Sequence, residues 1–299
     1  MRAQGLPRSE PPVDDGAIAQ YRAVRRNTGT LCQTLEPEDY VVQSMPDASP
    51  AKWHLAHTSW FFERFLLAEY QCGYRPFDER FDYLFNSYYH TAGPMHQRPR
   101  RGLLSRPTVA DVLAYRAHVD DAMERLIESD ALDVRARNIL MLGLHHEQQH
   151  QELLLTDLKH LFSQNPLEPA VAPELPPPPR AAAPGHAFLA ITGGIHEIGH
   201  RGEGFAFDNE TPRHRVLLDD FRIGSRPITN GEYRDFVRDG AYARPELWLS
   251  DGWATLAERG WRRPLYWDEE LCSEFTLAGR RDLDPHAPVS HVSYYEADA

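Results

Sequence analysis

The stretch HHEQQHQELLLTD, from His145 to Asp157, decides how the first half of the chain folds. It lies inside an amphipathic run from about Leu132 to Phe162, which reads as one long helix. His146 and His150 stand four residues apart, so on a helix both project from one face about one turn apart, able to hold one ion together. Ile139, Leu142, Leu153 and Asp157 continue that face. It is mostly apolar, so the two imidazoles are expected to point into a core. A buried imidazole needs partners on both nitrogens, and a metal on one with a hydrogen bond on the other satisfies both. His145, one residue off the pair, is expected to be rotated out of the site.

Three more helices are legible upstream. Asp14 or Asp15 can cap one running to about Leu35. Ser49 before Pro50 places a capping residue ahead of a proline at the first helical position, opening a helix to about Tyr70. Thr108 can start another, to about Ser129. Four long amphipathic segments predict an antiparallel four-helix bundle over residues 14–162. The connection from Gln71 to Pro107 is too long for a turn, and long ordered connections often carry function. This one contains FNSYYHTAGPMHQRPRRG.

After the bundle comes SQNPLEPAVAPELPPPPRAAAPG, Ser163 to Gly185, with eight of the chain's 24 prolines. It cannot propagate a helix or a central strand, so residues 163–185 read as an extended linker. Beyond it, HAFLAITGGIHEIGH, HRVLLDDFRIG and PVSHVSYYEADA are short apolar runs broken by Gly, Asn and Asp. They predict short strands in a coil-rich α+β domain over residues 186–299. Thr229 and Glu232 form a capping box that should open a short helix through Val237. Ser293 and Glu296 form another, after which only Ala297 to Ala299 follow. One helical turn has little stability of its own, so the second domain is expected to be cut short, leaving strands such as Phe188 to Ile191 and Val216 to Phe221 without partners. On the same reading the bundle should fold and hold metal, whereas the region after Gly185 should be more mobile and prone to aggregate.

Composition narrows the function classes. The 299 residues suit two domains, and 41% hydrophobic with 11% aromatic content can fill their cores. A net charge of −12 gives no footprint for nucleic acid or for an anionic membrane surface. No apolar run reaches the length of a membrane span, and the first residues lack a signal-peptide core, so a cytoplasmic protein is expected. Three cysteines far apart, Cys32, Cys72 and Cys272, argue against a disulfide framework. Fifteen histidines are the unusual feature.

The second helix offers a third ligand in Trp53-His54-Leu55-Ala56-His57. His57 shares a face with Trp53 and Phe61, and His54 shares one with Phe61 and Phe65, so periodicity leaves both open. His146-Glu147-Gln148-Gln149-His150 also matches the H-E-x-x-H pattern of zinc hydrolases, in which Glu147 would be the general base. The proline-rich stretch follows where that class needs another ligand. Three imidazoles with open positions suit zinc hydrolysis as well as iron chemistry.

The combination of SPAKWHLAHTSWFFE (Ser49 to Glu63), NSYYHTAGPMHQRPRRGLLSRPT (Asn86 to Thr108) and HHEQQHQELLLTD resembles the sulfoxide synthases of ergothioneine biosynthesis, the EgtB family. GGIHEIGH (Gly193 to His200), DNETPRHRVLLDDFRIG (Asp208 to Gly224), PITNGEYRDFV (Pro227 to Val237) and PVSHVSYYEADA (Pro288 to Ala299) resemble the formylglycine-generating-enzyme-like domain that follows in that family. The resemblance implies a DinB-like four-helix bundle, then a partial domain of C-type-lectin-like fold. It implies iron(II) on His57, His146 and His150. The reaction implied joins cysteine or γ-glutamylcysteine to C2 of the hercynine imidazole, with O2 oxidising the sulfur to a sulfoxide. Tyr88 and Tyr89 would then sit beside the oxygen position as proton donor and hydrogen-bond partner, in the branch that prefers free cysteine. Arg98, among Arg98, Arg100 and Arg101, would pair with the cysteine carboxylate, and Gln149 would help hold hercynine. In the family the second domain continues past SYYEADA and supplies further substrate contacts. A metal-dependent thiol transferase of the DinB-like group, a zinc hydrolase, and a lectin-like module on a structural bundle are the alternative readings.

Overall fold

The computed structural model describes residues 15–87, 93–129, 131–177, 181–202 and 204–299. The chain divides into two compact units after Asn165. The first unit contains α1 (Asp15–Leu31), α2 (Ala51–Phe62), α3 (Ala68–Tyr70), α4 (Phe81–Phe85), α5 (Val109–Glu128) and α6 (Val134–Ser163). A π-helical turn at Glu63–Leu67 joins α2 to α3, so the helix expected to end near Tyr70 runs there through a widened turn. Glu63 anchors this turn, accepting hydrogen bonds from Tyr115 (2.7 Å), Tyr74 (2.6 Å) and the Phe77 amide (3.2 Å).

The four long helices form the bundle, and side-chain register gives their directions. Arg22 meets Glu124 while Arg25 meets Asp120, so α1 and α5 run antiparallel. Ser49, His54 and His57 meet Asp157, His150 and His146 in turn, so α2 and α6 are antiparallel as well. All twelve residues of α2 are buried, which makes it the helix around which the others pack. Capping follows the letters at α5, where Thr108 and Asp111 form a reciprocal box; at α6 the cap is Asp133, which sequence reading did not single out and which accepts from the Ala136 amide. Ser49 does not cap α2; its hydroxyl accepts from Arg101 at 2.8 Å instead.

The deepest face of α6 differs from the expected one. It consists of Ala136, Leu140, Gly143, Leu144, Glu147, Gln151, Leu154, Leu158 and Phe162, whereas Leu142 and Leu153 are exposed. The histidine stripe therefore runs along the edge of the bundle, not into its centre. Two polar residues in the deep face hid it from periodicity. They are affordable there because every charge meets a partner, as described below.

Gly143 sets the spacing between α6 and α2. A Cβ there would come within 2.5 Å of a Phe62 ring carbon and 2.9 Å of a Phe61 ring carbon, and both rings are buried. Gly143→Ala should gain about 1 kcal/mol of helix propensity and lose about 1–3 kcal/mol to overpacking. A net destabilisation of about 1–2 kcal/mol is expected, read from the denaturant midpoint.

The second unit holds three antiparallel strand pairs. These are β1 (Phe188–Ile191) with β4 (Phe221–Gly224), β2 (Gly194–Ile198) with β3 (His214–Leu218), and β5 (Ser273–Thr276) with β6 (Gly279–Asp282). The strands predicted to lack partners thus have them, because β3 folds back on β2 and β4 returns to β1. Phe188, Leu189, Ile195, Leu217 and Ile223 nevertheless remain exposed. Helix α7 (Asn230–Arg238) opens on the Thr229–Glu232 capping box, α8 spans Ser250–Arg259, and α9 (Tyr294–Asp298) opens on the Ser293–Glu296 box. Tyr233, Trp267, Leu271 and Leu283 form a small core. Sequence reading missed α8 and the β5–β6 hairpin. Part of the proline-rich stretch is held on that hairpin: Ala172 donates to the Leu277 carbonyl at 2.8 Å, and Glu168 pairs with Arg280. No helix among the described residues is long and apolar enough to cross a membrane.

Candidate metal centre

Antiparallel packing of α2 on α6 brings His57 opposite His146 and His150. One nitrogen from each of the three lies within 4.8 Å of the others. The Nε2 atoms of His57 and His146 are 3.2 Å apart, close to the roughly 3 Å expected between nitrogens that share an ion at about 2.1 Å. His57 lies between two indoles, stacked on Trp53 at 4.5 Å and on Trp60 at 5.5 Å. Its Nδ1 is 2.5 Å from the Phe85 carbonyl. A carbonyl only accepts, so Nδ1 carries the proton and Nε2 presents its lone pair to His146.

Burial keeps these imidazoles neutral. His57 and His150 are held well below the ordinary imidazole range, first by burial and then by neighbouring histidines, with Arg101 adding to the effect. Burial also lowers His146, to about 4, against an opposing pull from Glu147. Neutral imidazole is the ligand form, so protons do not compete for the site near neutral pH. Three neutral nitrogen donors on one wall, with the second ring nitrogen of His57 and of His150 already hydrogen-bonded, fit a divalent transition metal with positions left open.

That wall belongs to a cavity of about 270 Å³ lined also by Ser87, Arg98, Arg101, Gln149, Leu153 and Asp157. A larger cavity in the same unit, about 760 Å³ beside Phe77, Phe81 and Arg106, contains none of the histidines, so chemistry and not volume selects the smaller one. The structure therefore brings Arg98 and Gln149 to the histidines. Tyr88 and Tyr89 lie outside the described residues. Sequence reading underrated Arg101. It is buried, its guanidinium sits 3.4 Å over the Trp53 ring, and it donates to Ser49 (2.8 Å) and Ser87 (2.9 Å). The signal was its place beside Arg98 in a loop with no other reason to be so basic.

His54 stands behind the trio. Its Nδ1 is 2.9 Å from Nδ1 of His150, and its Nε2 is 3.0 Å from Asp157. Periodicity left His54 and His57 open; the geometry groups His57 with His146 and His150, and His54 contacts His150 from behind.

Glu147 rules out the H-E-x-x-H hydrolase reading. The carboxylate is fully buried on a different face of α6, where Arg25 (3.0 Å), Arg116 (2.5 Å) and Thr28 (2.6 Å) bind it. Burial alone would raise its pKa, but the two guanidiniums and the Thr28 hydroxyl hold it at about 2. A carboxylate so held neither reaches the histidines nor accepts protons near neutral pH.

Residues 20–154 match the DinB superfamily and residues 173–299 match the sulfatase-modifying factor enzyme 1-like domain. The chain is 35% identical over 258 residues to a hercynine oxygenase of Mycolicibacterium thermoresistibile, covering 85% of this chain and 55% of that protein. It is 32% identical over 303 residues to one of Mycolicibacterium smegmatis, covering 97% and 64% respectively. A formylglycine-generating enzyme of Streptomyces coelicolor is 31% identical over 156 residues, 42% of this chain and 46% of the enzyme. The chain thus spans 55% and 64% of the length of the two oxygenases. With both domains in this order, and with identity of this level running through most of its residues, the chain belongs to the EgtB family of ergothioneine biosynthesis.

Proposed function

We propose that the protein is a non-haem iron(II), O2-dependent sulfoxide synthase acting on hercynine and cysteine or γ-glutamylcysteine in the cytoplasm. The observation that carries this reading is the convergence of His57, His146 and His150 on a cavity that Arg98 and Gln149 also line. Relatives named hercynine oxygenase support the substrate. In the reaction the imidazole C–H and the thiol S–H are lost, a C–S bond forms, one oxygen atom goes to sulfur and the other leaves as water. Iron(II), when bound to the three imidazoles, supplies the redox chemistry and keeps positions open for reactants. The protein's own work is positioning. Arg98 pairs with the carboxylate of the thiol substrate, for which a guanidinium fork is suited. Gln149 holds hercynine by its amide, and Tyr88 and Tyr89 supply a proton donor and a hydrogen-bond partner beside the reacting oxygen.

Oxygen uptake by the iron-loaded chain with hercynine and cysteine, with product mass measured in parallel, tests the reading. One O2 consumed per sulfoxide is expected. Thiol transfer without O2 uptake would move the protein to the DinB-like thiol transferases, and failure to bind iron(II) would overturn the reading. Tyr88→Phe and Tyr89→Phe should each leave iron binding intact. At least one should lower the sulfoxide rate about a hundredfold or divert product toward cysteine oxidation, as expected when a positioned proton donor is lost.

A further inference from the structure

We infer that Asp157 and His54 form a positioning relay that fixes which nitrogen of His150 faces the metal. The inference rests on the metal reading above. It follows from donor and acceptor capacity alone.

Asp157 Oδ2 accepts from the Ser49 amide at 2.8 Å and lies 3.0 Å from His54 Nε2. A carboxylate accepts, so His54 Nε2 carries the hydrogen and, in the neutral ring, His54 Nδ1 holds a lone pair. That lone pair is 2.9 Å from His150 Nδ1, which must then be the donor. His150 Nδ1–H leaves Nε2 as the lone-pair nitrogen of that ring, the one able to share an ion with His57 and His146. The order of dependence runs from carboxylate to outer histidine to ligand, and each link forces the next. His57 is fixed in the same form by a different device, the Phe85 carbonyl. Two of the three ligands thus present Nε2 because an acceptor behind each holds the proton on Nδ1.

The surroundings favour such a role. His54 is 3% exposed, on a helix with no exposed residue, so its polar atoms have little access to solvent. Asp157 is on the same helix as His150, about two turns on, so the relay ties ligand and carboxylate to one rigid element while His54 bridges from α2. The Ser49 amide, just ahead of α2, pins the carboxylate from the other side. Outer partners of this kind set ligand orientation and basicity, and their loss typically weakens metal binding by about tenfold to a hundredfold.

Cobalt(II) titration of the full chain, followed by its visible absorption, tests the relay without turnover. His54→Phe keeps the ring but removes the acceptor. It should weaken cobalt binding about tenfold to a hundredfold and shift the absorption bands, because His150 is released to either tautomer. His54→Asn places an amide oxygen near the lost Nδ1 and should restore affinity to within about threefold of wild type, well inside that range. Asp157→Ala, at a half-buried site where folding is safer, should weaken binding in the same direction. The apo unfolding midpoint of each variant separates this effect from lost structure. Wild-type affinity and spectrum in both His54→Phe and Asp157→Ala would overturn the relay while leaving the metal centre in place. Unchanged binding in His146→Ala would instead overturn the centre itself.

Discussion

Glu147→Gln is expected to destabilise the bundle by about 3–5 kcal/mol, seen as a large fall in the denaturant midpoint with or without metal. The carboxylate is 0% exposed and is the common partner of Arg25 and Arg116, which are nearly as buried. Making it neutral takes a carboxylate away from two guanidiniums that have little access to water, Arg116 and Arg25, although Arg25 keeps Asp120. An amide also turns an NH2 donor toward one of them. The sign of the acid effect follows from the pKa. The folded value, about 2, lies below the ordinary glutamate value of 4.5. Stability from this group is therefore complete above about pH 4.5 and is lost as pH falls from there toward 2. The variant should lack that segment of the acid unfolding curve. A metallohydrolase would behave differently, with fold and metal intact and only turnover lost.

Single His→Ala changes at positions 57, 146 and 150 should each reduce iron(II) affinity by more than about a hundredfold, beyond what loss of an outer partner costs. Calorimetric or spectroscopic titration reads this directly, and His145→Ala should bind as wild type does. A weaker effect at one of the three would remove it from the ligand set. The pH dependence adds a second check. Because burial lowers all three imidazoles, with His146 at about 4, binding should hold steady from pH 8 to 6, where ordinary histidines begin to protonate. Without metal, the unfolded chain takes up protons at these positions before the folded one does. Apo stability should therefore decline as pH falls below about 6.5.

Much of the bundle was legible in the letters because capping chemistry is local. Thr108, and in the second unit Thr229, announce helices whose first amides they bind. The His146 and His150 pair was legible for the same reason, since four-residue spacing needs no tertiary information. What lay beyond the sequence was the choice between His54 and His57, which depends on how α2 is rotated against α6. The deep face of α6 was hidden too. Glu147 and Gln151 look like surface residues until Arg25, Arg116, Thr28 and Asn27, more than thirty positions away in every case, close around them. In the second unit, β5 and β6 carry Ser, Glu, Gly, Arg and Asp around just two strand formers, Phe275 and Thr276, and their pairing is visible only in space.

The Phe85 carbonyl that orients His57 is the last residue of α4 and stands at the mouth of the segment bearing Tyr88 and Tyr89. Asn86 donates across to the Gly93 carbonyl at 3.1 Å, and Ser87 receives Arg101. Both contacts lie within two residues of Phe85, so the carbonyl that holds the His57 proton belongs to a backbone braced from two sides, and the aim of that imidazole is inherited from the bracing.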